Sequence, residues 1–78
     1  MQDIFERVRK ATVAVLGVDA DLVTLGSRFR ADLGADSINL VEIAMAIEAE
    51  FDILLEDDEV ASIVTVQDAV TYIAGHQK

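Results

Sequence analysis

The chain has 78 residues and contains no cysteine, no proline, no tryptophan and a single histidine. Without cysteine it forms no disulfide and no thiolate metal site, and its own side chains do no thiol chemistry. Without proline, nothing interrupts a helix interior. Basic residues are scarce, six against fifteen acids, giving a formal charge of -9. No apolar run approaches the ~20 residues that span a bilayer. Acids at Asp3 and Glu6 stand where a secretory leader needs bases. These absences predict a cytoplasmic protein of a reducing compartment, with no membrane insertion.

What is present is apolar surface, at 53% of residues enough for one core and too much for a disordered chain. The length suits one small domain, residues 1–78. A domain of this size buries only ~60% of its unfolded surface, so its stability is modest. The bases are Arg7, Arg9, Lys10, Arg28, Arg30 and Lys78, which leaves none from Ala31 to Gln77, a span holding eleven acids. Such a field repels nucleic acid and anionic membranes and draws basic partners inward. A solvated acidic surface kept for solubility accounts for the charge equally well.

Apolar spacing predicts the elements. Ile4 or Phe5, Val8, Ala11 or Thr12, Val15 and Leu16 define a helix over 3–16, with Gly17 as its stop. Residues 17–36 have little periodicity, yet they carry Val18, Leu22, Val23, Leu25, Phe29 and Leu33. They read as a long ordered loop with a helical turn near 19–23. At ~100° per residue, Leu40, Ile43, Ala44, Ile47 and Phe51 form one narrow stripe facing the core. Ile38, Val41 and Met45 fall on the opposite side, beside Glu42 and Glu48, and make a candidate contact surface. Beyond Phe51, the run from Glu56 to Ile63 reads as a short helix with acids at its positive end. Thr65 and Asp68 then form a capping box for a last helix that Gly75 ends. The sum is an all-α fold, a small bundle of three main helices plus one short helix, with a long ordered loop between helices 1 and 2.

Catalytic constellations are lacking. A serine triad would depend on His76, the third residue from the end, where helices fray. One imidazole and no thiolate make no metal site, and "DLGADSINLVE" lacks the alternating acids of a calcium loop. Carboxylates alone support acid–base chemistry, but on helix surfaces they are ordinary solvated charges. The chain reads as a non-enzyme.

Ser37 differs in kind. Asp36 or Ser37 caps the best helix of the chain, and Gly34 allows a tight turn just before it. From position alone, capping is the simpler reading of this serine. A phosphate esterified to it would also sit where a helix start stabilises an anion.

Taken together, "DLGADSINLVEIAMAIEAEFDI" resembles the acyl carrier proteins, whose hallmark is Asp-Ser-Leu at the start of the second helix. "ERVRKATVAVLGV" is similar to the first helix of that family and "TVQDAVTYIAGHQ" to its last. The resemblance implies 4′-phosphopantetheine attached covalently to Ser37, flanked by Asp36, by a phosphopantetheinyl transferase (holo-ACP synthase). It implies a monomeric carrier of acyl chains for fatty-acid biosynthesis, whose partners are acyltransferases, ketosynthases, reductases and dehydratases. Ile38 and Met45 become the apolar centre of a docking face with Asp36, Glu42 and Glu48 as its charged rim. Ile43, Ile47, Phe51, Ile63, Ala69 and Tyr72 become the lining of an acyl pocket. Asn39 stands where an aspartate often follows the Asp-Ser-Leu, Ile38 replaces the commoner leucine, and Leu54-Leu55 occupies a region where a proline often precedes the third helix. A specialised carrier for polyketide, lipid A or other acyl or aminoacyl intermediates is the alternative. Outside the class stands an unmodified acidic helical adaptor.

Overall fold

The computed structural model describes residues 2–76. Helix α1 runs Gln2–Leu16. Ile4, Val8 and Thr12 recur every four residues and are buried on one face. Thr12 avoids an unsatisfied hydroxyl by donating to the Val8 carbonyl at 2.9 Å. Gly17 ends the helix as the spacing predicts. It adopts φ +70°, and its N–H reaches the Val13 carbonyl at 2.8 Å.

The predicted loop is ordered because its own residues are buried and its backbone is paired. A 3₁₀ turn covers Ala20–Leu22. The buried Ser27 hydroxyl donates to the Leu22 carbonyl and accepts from the Thr24 N–H, each at 3.0 Å. Further along, the loop lies antiparallel to the entry of the last helix. Phe29 N–H donates to Val64 O at 3.0 Å, Val66 N–H to Ser27 O at 3.0 Å, and Gln67 N–H to Leu25 O at 2.9 Å. Phe29, Leu33 and Ala35 are thereby held in the core.

Helix α2 spans Ser37–Phe51, and Ile43, Ala44, Ile47 and Phe51 are its buried residues. Leu40, expected on the same stripe, is half-buried. The helix stops at Asp52, whose φ of 54° is the left-handed conformation that aspartate tolerates better than most side chains. Arg7 braces this end from α1. Its guanidinium lies 4.2 Å over the Phe51 ring and bonds both the Glu50 carboxylate and the Glu50 carbonyl at 2.8 Å.

Helix α3 is short, Asp57–Ser62, and has no buried residue. Its entry is fixed by Glu56 N–H donating to the Glu59 carboxylate at 2.9 Å. Helix α4 covers Val66–His76 and buries Val66, Ala69, Val70 and Ile73. The Thr65–Asp68 capping box forms: Asp68 N–H reaches Thr65 Oγ1 at 3.1 Å, and the Asp68 carboxylate accepts the Val64 and Thr65 N–H groups at 3.0 Å. The last helix passes through Gly75 and does not end there. Gly75 is not in the left-handed conformation. His76 extends the turn by donating from Nδ1 to the Tyr72 carbonyl at 2.8 Å, with its ring stacked on Tyr72 at 4.0 Å.

Among the described residues, four helices surround one core, drawn from α1, the long loop, α2, α4 and Leu55 of the segment between α2 and α3. Each fully buried aliphatic side chain in it contributes about 1.5–3 kcal/mol. Among the described residues there is no strand, only an isolated bridge between Arg28 and Thr65.

Candidate functional site

The start of α2 is built by two turns. Gly34, at φ +74°, donates its N–H to the Arg30 carbonyl at 3.2 Å, and Ala35 N–H donates to Phe29 O at 2.9 Å. Asp36 then caps α2. Its carboxylate accepts the Asn39 N–H at 2.9 Å, and the Asn39 side chain accepts the Asp36 N–H at 3.1 Å. Asn39 therefore completes the capping box through its carbonyl oxygen.

Because Asp36 is the cap, the Ser37 hydroxyl is not consumed in capping. Ser37 is the first helical residue and is exposed. The contact made by its Oγ is with Arg30, whose Nη2 donates to it at 3.0 Å. Arg30 was invisible as a site residue in the sequence. It lies seven residues upstream, and only the turn closed at Gly34 folds it back onto the helix start.

The outward stripe of α2 is open to solvent. Ile38 is 71% exposed, Val41 52% and Met45 61%, with exposed Glu42 beside them. Glu48 is half-buried, and one of its oxygens is engaged: Oε2 accepts the Leu55 N–H at 2.9 Å, fastening the segment between α2 and α3.

Ser37 opens onto a cleft of about 740 Å³ between α2 and α3, with Leu40, Ala44, Met45 and Val60 among its walls and Arg28 and Arg30 at its margin. Beneath lies an apolar cavity of about 20 Å³. Ile43, Ile47, Ile63 and Ala69 line it, together with Phe29 and Leu40. Phe51 and Tyr72 do not. Phe51 lies under Arg7, while the Tyr72 hydroxyl donates to the Glu59 carboxylate. A space of that size holds about one water molecule.

A helical domain that caps its second helix with aspartate, and so frees the next serine beside an apolar cleft, is organised to present one hydroxyl. A family model described as phosphopantetheine attachment site matches residues 6–73, and the chain belongs to that family. It is a phosphopantetheine-carrying protein of the acyl carrier type, with 4′-phosphopantetheine as its covalent prosthetic group. The residues at the start of α2 fit that group: an exposed hydroxyl, a guanidinium 3.0 Å from it, and a cleft leading away. When bound, the group supplies the thiol that this cysteine-free chain lacks, and thiols hold acyl groups as thioesters. Among the described residues, no helix is long and apolar enough to cross a membrane.

Proposed function

We propose that the chain, as one domain, holds growing or finished acyl chains on 4′-phosphopantetheine attached to Ser37 and presents them to the enzymes of fatty-acid synthesis. One observation carries this reading: the Ser37 hydroxyl is exposed and released from capping by Asp36, at the mouth of an apolar cleft. A phosphopantetheinyl transferase loads it. Acyltransferases, ketosynthases, reductases and dehydratases meet the stripe of Ile38 and Met45, with Asp36, Glu42 and the free oxygen of Glu48 as rim. Rim charges accelerate encounter, and the small apolar centre keeps each complex reversible, as a shuttle requires. The chain carries and does not catalyse, and it works in the reducing cytoplasm, where an exposed thiol persists.

Mass spectrometry after co-expression with a transferase tests the attachment. The expected result is a gain of one phosphopantetheine in the wild type and none in Ser37→Ala. Failure with several transferases overturns the reading. A carrier dedicated to polyketide, lipid A or aminoacyl intermediates is the second reading. It is favoured by Asn39, which completes the capping box of α2 as an aspartate would while removing one charge from the rim. The thioester cargo recovered from cells separates the two.

A further inference from the structure

We propose that Arg30 holds the phosphate of the prosthetic arm at Ser37 and fixes the root of that arm at the mouth of the cleft; this rests on Ser37 being the attachment residue. Arg30 Nη2 already lies 3.0 Å from Ser37 Oγ. A phosphodiester formed through Oγ has its two unesterified oxygens two bonds from that atom, on the phosphorus. The guanidinium presents five N–H donors in a planar fork and meets such an anion without a change in backbone.

The local charges require such a partner. Asp36 is pinned one residue away by the Asn39 N–H, so its carboxylate cannot turn aside from a phosphate at Ser37. Of the first amides of α2, those of Asn39 and Leu40 are taken by the Asp36 side chain and carbonyl. The helix start alone therefore offers an anion less than its full set of donors. Two cations border the cleft, and they differ. Arg28 is occupied by Asp32, at 3.3 Å from Nε. Arg30 makes no ion pair among the described residues, and the turn to Gly34 anchors its carbonyl at 3.2 Å. Arg30 and Ser37 both border the cleft. A phosphate gripped between them starts the arm along the groove and not outward into solvent.

Phosphorus NMR of the loaded protein tests this, with mass spectrometry confirming equal loading and circular dichroism confirming equal helicity. O-phosphopantetheinyl serine serves as the free reference. In the wild type the resonance is displaced from that reference and broadened, and ~1 M salt moves it back. R30Q brings it to the reference position at low salt, R30K retains part of the displacement, and R28Q leaves it as in the wild type. Identical resonances in loaded wild type and R30Q overturn the role of Arg30, as does an equal effect of R28Q, which indicates mere charge screening. Absence of loading in the wild type is a separate result, because it removes the attachment at Ser37 itself.

Discussion

The hydroxyl of Tyr72 on α4 donates to the carboxylate of Glu59 on α3 at 2.5 Å. This bond joins the helix that buries nothing to one that is packed into the core. It also moves both ionisations. The hydrogen bond to Glu59, aided by burial and by the surrounding acids, pushes the Tyr72 phenol up to about 12. The same bond, with the Glu56 N–H, holds the Glu59 carboxyl below its usual range.

An alkaline transition follows. The folded chain holds the phenolic proton more tightly than the unfolded one, so this contribution to stability is complete below about 10 and is lost as pH rises through about 12. Thermal unfolding across that window is expected to show a decline in stability that is smaller in Tyr72→Phe. Tyr72 is the only tyrosine, so phenolate absorbance reports it alone. A transition near the ordinary value of 10 would dispose of the bond.

On the acid side the sign reverses. The Asp68 carboxyl is held low by the Thr65 and Val64 N–H groups, and that of Asp32 by the Arg28 N–H and then the Arg28 side chain. Their contributions are present above the unfolded range near 4 and fade as pH falls through the lowered values. Thr65→Ala removes the cap of α4 and is expected to cost about 1 kcal/mol, measured by urea unfolding at neutral pH. In Asp68→Asn the acid-induced loss should be shallower than in the wild type. An unchanged profile argues against the capping role of this carboxylate.

The two residues at the head of α2 separate stability from loading. On the proposed attachment, Ser37→Ala is expected to abolish the mass gain and to keep the unfolding midpoint, since Asp36 and not the Ser37 hydroxyl caps α2. Asp36→Ala is expected to cost about 0.5–2 kcal/mol through the lost cap. Equal destabilisation by both changes would show that Ser37 supports the helix after all.

On the outer stripe, Glu42→Lys is expected to slow association with a basic partner enzyme and to flatten its dependence on salt, whereas Met45→Ala speeds dissociation several-fold to about tenfold. Both side chains are exposed, so helicity should not change. Stopped-flow binding to the transferase at two salt concentrations reads both effects. Unaltered rates for both variants place the contact on another face.

Much of this was legible in the spacing of apolar residues. Helix α1, the turn near 20, the two faces of α2 and the Thr65–Asp68 box are local patterns, and the structure repeats them. Gly75 misled because a glycine signals a stop only when it takes positive φ. Here the stacked Tyr72–His76 pair carries the helix past it. Phe51 shares the inward spacing of α2 and Tyr72 lies beside the inward stripe of α4, but Phe51 packs under Arg7 and Tyr72 bonds Glu59, and neither lines the small apolar space. Spacing within one helix contains no information about a partner on another element. Arg30 was hidden for the same reason, since its meaning depends on a turn that reverses the chain.

The backbone hydrogen bonds between Leu25, Ser27 and Phe29 on one side and residues 64–67 on the other tie the segment that delivers Ser37 to the far end of the polypeptide. On the proposed attachment, the placing of the acceptor serine depends on the last helix as well as on its own turn. Removal of α4 is therefore expected to lower loading by a transferase, read as a smaller share of molecules with the added mass.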